Sequence, residues 1–173
     1  MDSIGFGIIG TGNIAKIHSD CINQIEGATL HGVLTNSKKR KKEILKIFKT
    51  KVYQNIDDFL ENSKISIVCI CNESGKHGKT IEKVANAKKN ILCEKPLEIN
   101  LERIEKIERI INKNKILLGC VFQNRFNPQY VKLKQIIETG KLGKLLLVNA
   151  QVNWYRSPEY YKNSWRGTKE LDG

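Results

Sequence analysis

The order of apolar and amphipathic segments limits the folds that this chain can adopt more than any other feature of the sequence does. Up to residue 122, short apolar runs such as "FGIIG" and "ISIVCIC" alternate with stretches whose apolar residues recur at helical spacing, as in "NLERIEKIERIINK". The short runs are too brief for buried helices, so they predict strands. Strands that alternate with helices form parallel sheets with right-handed crossovers. The pattern therefore predicts an α/β fold, with a doubly wound parallel sheet in a domain over residues 1–122.

The pattern changes after Phe122. A polar junction, "QNRFNPQ", leads to a helix pattern in "YVKLKQIIETGKLG" and then to "KLLLVNAQVNWY", which predicts one long strand, while the remaining residues read as irregular. One helix and one strand cannot close a second core. We therefore expect residues 123–173 to be the first part of an α/β substrate domain with an open, mainly antiparallel sheet, and the chain to be part of a longer protein.

Composition narrows the classes of partner. The chain has 173 residues and a net charge of +12, and a positive charge of this size is typical of proteins that bind nucleic acid. The excess is mostly lysine on predicted helix faces, with no nucleic-acid-binding motif, so we expect no nucleic-acid partner. No apolar run approaches the roughly 20 residues of a membrane span, so we expect no membrane partner either.

The N-terminus and the cysteines indicate the compartment. Met1-Asp2-Ser3 lacks the basic region of a signal peptide. The five cysteines show no metal-ligand spacing and cannot all pair, so they predict no metal site. Together these features lead us to expect a cytoplasmic protein with reduced thiols.

The turn after the first predicted strand has the composition of a phosphate site. Gly10-Thr11-Gly12-Asn13-Ile14-Ala15 fits the pattern G-x-G-x-x-G/A, between a strand and a helix. In this fingerprint the glycines allow a tight turn and close approach of the backbone to a pyrophosphate, which the helix N-terminus stabilises. The turn predicts a Rossmann fold that binds NAD or NADP. The alternative is a tight turn without a ligand.

The segment after the second strand bears on the choice between these cofactors. An NAD site commonly places a carboxylate there to bind the adenine ribose. The run from Thr35 to Arg40 contains no carboxylate, whereas Ser37, Lys38 and Arg40 are suited to a 2′-phosphate. The segment therefore favours NADP over NAD. The alternative is that these lysines are solvated helix residues.

A lysine follows the strand "NILCE", in Glu94-Lys95-Pro96. Ligands of such sheets bind at the carboxyl ends of the strands. There, a lysine beside a cofactor can share a proton with a carbinol oxygen and stabilise negative charge on it. The alternative is that Glu-Lys-Pro, taken by itself, only ends the strand and has no catalytic role.

Six short motifs occur together in one order: "FGIIGTGNIAKIH", "CNESGKH", "CEKPL", "NRFNP", "GKLGKL" and "SWRGTKELDG". Through these motifs the chain resembles the Gfo/Idh/MocA family, which includes glucose–fructose oxidoreductase and inositol 2-dehydrogenase. The resemblance covers essentially the whole chain. The resemblance implies hydride transfer between a nicotinamide dinucleotide and a hydroxyl carbon of a sugar, cyclitol or nucleotide-sugar. It also implies a homo-oligomer, dimer or tetramer, for the full-length protein.

The resemblance assigns roles to individual residues. Lys95 matches the catalytic lysine. Together with the charge pattern after the second strand, it predicts these cofactor-binding residues: Gly10, Gly12, Asn13, Ile14, Thr35, Asn36, Ser37, Lys38, Cys71, Asn72, His77, Glu94, Lys95, Asn124, Arg125, Trp165 and Arg166. The expected substrate-binding residues are Lys95, Arg125, Tyr155 and Arg156, although Tyr155 also suits a sheet face or subunit contact and Arg156 an ordinary surface position.

The chain departs from the family pattern in two places. Glu73 stands where proline is common. Asp172-Gly173 resembles the start of a segment that leads, in the family, to a catalytic Asp-x-x-x-His pair, so we expect this chain to bind cofactor but to lack that histidine. For His18 and His31 we expect structural roles. The alternative function is a non-catalytic module that binds and senses NAD(P).

Overall fold

The computed structural model describes residues 3–173. Met1 and Asp2, which contributed to the expectation that no signal peptide is present, lie outside the described residues. The strands are β1 Ile4–Ile9, β2 Ala28–Leu34, β3 Val52–Tyr53, β4 Ile67–Ile70, β5 Asn90–Cys93 and β6 Leu118–Cys120. The helices are α1 Asn13–Gln24, α2 Lys41–Phe48, α3 Ile56–Leu60, α4 His77–Asn86, α5 Leu101–Asn114, α6 Pro128–Glu138 and α7 Pro158–Tyr161, with 3-10 turns at Ser74–Lys76 and Gln123–Phe126. Within residues 3–173, no helix is both long and apolar enough to cross a membrane.

The six strands form one sheet in which every pairing is parallel, in the order β3-β2-β1-β4-β5-β6. This confirms the predicted doubly wound sheet. The strand order reverses between β1 and β4, and ligands of such sheets bind outside the carboxyl ends of the strands at that point. We therefore expect a ligand to bind at the segments that follow β1, β2, β4 and β5.

Both faces of the sheet are buried, as the apolar strand sequences require. Successive side chains of a strand point to opposite faces, so Ile8 and Ile9 enter different core clusters. The cluster on one face includes Ala15 and Ile22 of α1 and Phe48 of α2. The cluster on the other face is built on α3, α4 and α5 with Phe59, Ile81, Val84 and Ile107.

Asparagine caps begin three of the helices. The Asn100 side chain accepts a hydrogen bond from the Arg103 N–H at 3.2 Å and so caps α5. Asn55 caps α3 and Asn127 caps α6 in the same way. These caps satisfy backbone donors that have no partner within the helix.

The chain divides into two compact units. One comprises the chain up to Val121 together with Trp165–Gly173, and the other comprises Phe122–Ser164. The terminal segment joins the first unit through a hydrogen bond from the Gly75 N–H to the Leu171 carbonyl, at 2.9 Å. Sequence alone offered no sign of this link.

The long strand predicted over "KLLLVNAQVNWY" is not formed. Residues 144–155 contain neither helix nor strand, and Leu146, Leu147 and Trp154 are 85%, 87% and 75% exposed. A strand requires a neighbour that completes its backbone hydrogen bonds, and the described residues provide none here. For the same reason, the second unit contains no antiparallel sheet within this chain.

Candidate functional site

The glycine turn joins the carboxyl end of β1 to α1. Gly10 has a φ of +107°, and a Cβ there would lie 2.6 Å from the Cys71 carbonyl oxygen, so only glycine fits. A Cβ on Gly12 would meet nothing within 4 Å. Gly12 precedes the first turn of α1, which has no side-chain cap and no acidic residue. The turn therefore presents a bare helix N-terminus with open space beside it, as an anion requires.

The end of β2 is tied to this turn. The Thr35 and Thr11 hydroxyls lie 3.3 Å apart, and the Ser37 N–H donates to Thr35 Oγ1 at 3.2 Å. Asn36 and Lys38 are exposed. The Arg40 guanidinium forms two hydrogen bonds of 2.9 Å with the Glu43 carboxylate. Sequence reasoning overlooked Glu43, which engages the arginine that was expected to favour a 2′-phosphate.

The loop after β4 contains Cys71, Asn72 and His77. The buried His77 ring joins two segments, since Nδ1 lies 2.7 Å from the Pro96 carbonyl oxygen and Nε2 lies 3.1 Å from the Asn72 carbonyl oxygen. The Asn72 side-chain amide donates to Thr80 Oγ1 at 2.9 Å. Glu73, in the place of the common proline, precedes the 3-10 turn at Ser74–Lys76. Burial raises the pKa of Glu73. The 2.7 Å hydrogen bond with Lys76, a hydrogen bond to its own backbone and the positive charges of Lys76 and His77 together lower that pKa below its ordinary value.

Glu94 and Lys95 follow β5, as predicted. Lys95 is exposed, and its peptide bond to Pro96 is cis. Glu94 is only 7% exposed, and its carboxylate lies 2.8 Å from Nε2 of His18 on α1. The structural role expected for His18 therefore includes a direct contact with a predicted cofactor-binding residue. Spacing could not have identified this pair, because 76 residues separate its members.

Glu98 is a second buried carboxylate that sequence reasoning missed. It accepts hydrogen bonds from the Gly78 N–H at 3.0 Å and the Ile99 N–H at 2.8 Å, and Arg103 lies 3.5 Å away. Gly78 belongs to the first turn of α4, where negative charge is favoured. Glu98 and the contact from His77 to Pro96 together hold the segment after Lys95 against the start of α4.

Three buried thiols lie along the same strands. Burial and, to a smaller extent, the negative charge of Glu94 raise the pKa of Cys69 to about 12. The pKa values of Cys71 and Cys93 also lie far above their ordinary value, chiefly because of burial. These side chains are core residues rather than nucleophiles. Among residues 3–173, no three His, Cys, Asp or Glu side chains are grouped to hold a metal ion.

The remaining predicted residues fall into two groups. Trp165 and Arg166 belong to the first unit, and the Arg166 guanidinium lies 5.0 Å from the Trp165 ring centre. Asn124, Arg125, Tyr155 and Arg156 belong to the second unit, and all four are exposed. The Arg156 guanidinium lies 5.2 Å from the Trp154 ring centre and 5.4 Å from that of Tyr160.

The residues present fit a dinucleotide. The glycine turn provides backbone donors and open space for a pyrophosphate, and segments from β2, β4 and β5 meet the same edge of the sheet. Oδ1 of Asn72 is buried and has no hydrogen-bond partner within the described part of the chain. Buried acceptors are nearly always satisfied, so an orphan of this kind is typical of a site that a ligand completes.

Comparison with known proteins agrees with this geometry. A curated relative, the myo-inositol 2-dehydrogenase of Thermotoga maritima, is 30% identical over 139 residues, which are 80% of this chain and 42% of that protein. The WlbA dehydrogenase from Bordetella pertussis, solved with NADH and UDP-GlcNAcA, is 28% identical with a TM-score of 0.95, over 99% of this chain and 50% of that one. The scyllo-inositol dehydrogenase from Lactobacillus casei, solved with NAD(H) and scyllo-inositol, is 30% identical with a TM-score of 0.75, over 82% of this chain and 43% of that one.

The chain spans about two fifths of the length of the curated relatives it matches first. The model of an oxidoreductase family with an NAD-binding Rossmann fold matches residues 4–122, and a Gfo/Idh/MocA C-terminal domain model matches residues 130–173. A match over well above half of the chain establishes membership. This chain belongs to the Gfo/Idh/MocA family of oxidoreductases.

Proposed function

We propose that this chain is the cofactor-binding part, with the beginning of the substrate domain, of an oxidoreductase. The enzyme would transfer a hydride between a nicotinamide dinucleotide and a hydroxyl carbon of a sugar, cyclitol or nucleotide-sugar. The observation that carries the proposal is the glycine turn, whose conformation and open space suit a pyrophosphate at the point where the strand order reverses. The relatives that act on inositols and the neighbour solved with UDP-GlcNAcA support this substrate class.

The division of labour follows the two matched segments. Residues 1–122 would hold the dinucleotide, with Gly10, Gly12, Asn13 and Ile14 at the pyrophosphate. The segments after β2, β4 and β5 would bind its two ribosides. Residues 123–173 would begin the substrate domain and contribute Asn124 and Arg125 beside the nicotinamide, and Tyr155 and Arg156 toward the substrate. Trp165 and Arg166 would also reach the cofactor.

Lys95 would carry the proton chemistry. The nicotinamide supplies the hydride acceptor or donor when it is bound. The exposed Lys95 ammonium would donate a hydrogen bond to the substrate hydroxyl oxygen and stabilise the negative charge that develops on it. A histidine outside this chain would complete the acid–base pair. A lysine at this strand end favours an enzyme over a module that only senses the cofactor, because a sensor does not need a catalytic lysine.

NADP is the cofactor we favour. No carboxylate lies between β2 and α2, where Ser37, whose N–H donates to Thr35 Oγ1, is followed directly by the exposed Lys38. A 2′-phosphate would be attracted there, aided by the net charge of +12. Because Arg40 is engaged by Glu43, the preference would rest on Ser37 and Lys38.

The setting of the enzyme is part of the same proposal. We place it in the cytoplasm, because the buried thiols have no need of an oxidising compartment. The partners would be a small sugar-like substrate and further copies of the full-length protein, in a dimer or tetramer. Neither nucleic acid nor membrane would be a partner.

Calorimetric titration with NADPH and NADH tests the proposal. We expect binding with a dissociation constant on the order of micromolar, equivalent to roughly 8 kcal/mol, and tighter binding of NADPH. Tighter binding of NADH would reverse the cofactor preference, and binding of neither would refute the proposed function. In a protein extended to the length of the relatives, Lys95→Met should retain cofactor binding but lose oxidation of inositols, hexoses and UDP-sugars.

A further inference from the structure

The contact between His18 and Glu94 joins the two halves of the fold at the candidate site. His18 lies on α1, the helix that begins at the glycine turn, and Glu94 ends β5, with β4 lying between β1 and β5 in the sheet. His18 Nε2 and Glu94 Oε1 lie 2.8 Å apart, and the two side chains are only 11% and 10% exposed. The contact therefore spans the edge where the strand order reverses, and little water competes for it.

His18 is the principal hydrogen-bond partner of a buried carboxylate. Within the described residues, the Glu94 side chain accepts hydrogen bonds from His18 Nε2 and, at 3.3 Å, from the Lys95 N–H. A carboxylate only accepts hydrogen bonds, so Nε2 carries the proton in this contact. The negative charge of Glu94 also raises the pKa values of four nearby thiols, those of Cys69, Cys71, Cys93 and Cys120. A buried charge among thiols needs such a donor.

The orientation of this carboxylate also bears on Lys95. Because the Lys95 N–H donates to Glu94 Oε2, one carboxylate is held at Oε1 by His18 and contacts the lysine backbone through Oε2. The Lys95 side chain is exposed and has no ion pair within residues 3–173, so its backbone is what determines where its ammonium can reach. A change at His18 would thus be felt at both residues of the strand end.

We propose that His18 is a positioning residue for the nicotinamide half of the cofactor site. It fixes the Glu94 carboxylate so that the lone pairs left free can accept a hydrogen bond from a hydroxyl of the nicotinamide ribose, and so that the Lys95 backbone keeps its place. This inference rests on the proposed dinucleotide binding. It predicts that His18 affects ligands that reach the β5 end and leaves ligands confined to the adenine half unaffected.

The test compares NADH with ADP, which lacks the nicotinamide riboside. His18→Leu, which removes the donor, should weaken NADH binding by about fivefold to tenfold and leave ADP binding, measured by competition, within twofold. His18→Gln restores a donor N–H at the ε position and should recover NADH affinity to within twofold. His31→Leu is the matched control, because His31 lies on β2 and should alter neither affinity.

A double variant shows whether His18 acts through Glu94. Glu94→Gln alone should weaken NADH binding, and adding His18→Leu should weaken it no further. Unchanged NADH affinity in His18→Leu, an equal loss for ADP, or no recovery in His18→Gln would each overturn the inference while the proposed function stands. If the unaltered chain binds neither NADH nor ADP, the proposed function fails and this inference fails with it.

Discussion

At the scale of single residues, the two glycines of the turn after β1 meet different surroundings. Gly10 has a positive φ and contacts the backbone of Cys71, whereas Gly12 has a φ of −83° and open space where a side chain would begin. One glycine is required by the fold itself. The other is required only if something must approach the backbone closely. The pair therefore separates the structural demand of the turn from its functional demand.

We predict opposite effects of alanine at these two positions. Gly10→Ala should lower the free energy of unfolding by about 2–4 kcal/mol, because it adds backbone strain and a steric clash. Gly12→Ala should change that free energy by less than about 1 kcal/mol, because its φ suits any residue and its Cβ meets no atom. It should still weaken NADH binding by more than about tenfold, because the methyl group occupies the space of the pyrophosphate.

Urea unfolding and NADH titration on both variants check this prediction. Gly27→Ala is a control for backbone strain alone, since Gly27 has a φ of +79° and open space around it. A Gly12→Ala variant that binds NADH as tightly as the unaltered chain would mean that the turn holds no phosphate.

At the scale of elements, the segment after β5 depends on contacts with α1 and α4. His18 holds Glu94, His77 contacts the Pro96 carbonyl, and Glu98 accepts the Gly78 N–H in the first turn of α4. Each contact joins residues far apart in the chain, so the position of Lys95 is set by packing between elements. The Glu98 side chain has no exposed surface.

We predict that Glu98→Gln destabilises the fold. A carboxylate can accept from both the Gly78 and Ile99 N–H groups, but an amide turns its own N–H toward one of these donors. The loss should be about 1–3 kcal/mol in the free energy of unfolding. Glu102→Gln is the matched control, because Glu102 is exposed in the first turn of α5 and its loss should not exceed about 0.5 kcal/mol. Equal stability of the two variants would show that Glu98 is not an anchor.

At the scale of the whole molecule, the two units differ in how they bury apolar surface. In the first unit, sheet and helices enclose two apolar clusters. In the second, apolar side chains from Leu145 to Tyr155 are largely exposed, and the described residues there form no strand. Segments that have neither secondary structure nor buried side chains have the lowest free energy of local unfolding.

We therefore predict that limited proteolysis begins in the second unit. Trypsin should cut first after Lys144 or Arg156, which flank the exposed segment, and mass spectrometry should detect a fragment that retains the sheet. Helix α2 is an internal control. It is also rich in exposed lysine, but Ile44 and Phe48 are buried at 0% and 3% exposure, so it should resist longer. First cleavage within α2 would contradict the prediction.

Features that depend on neighbours along the chain could be predicted from the sequence. Alternating apolar runs predicted the parallel sheet and its helices, and the spacing of Gly10 and Gly12 predicted the turn after β1. These signals are local, because strand and helix periodicity and turn conformation are properties of short segments.

Contacts between groups far apart in the chain became visible only in the folded structure. It paired His18 with Glu94, placed Glu98 at the start of α4, and attached the terminal segment to Gly75. It also left the predicted strand at residues 144–155 unformed, because a strand depends on a partner that periodicity cannot supply. Hydrogen bonds between residues far apart in the chain follow from packing, and packing is a property of the whole fold.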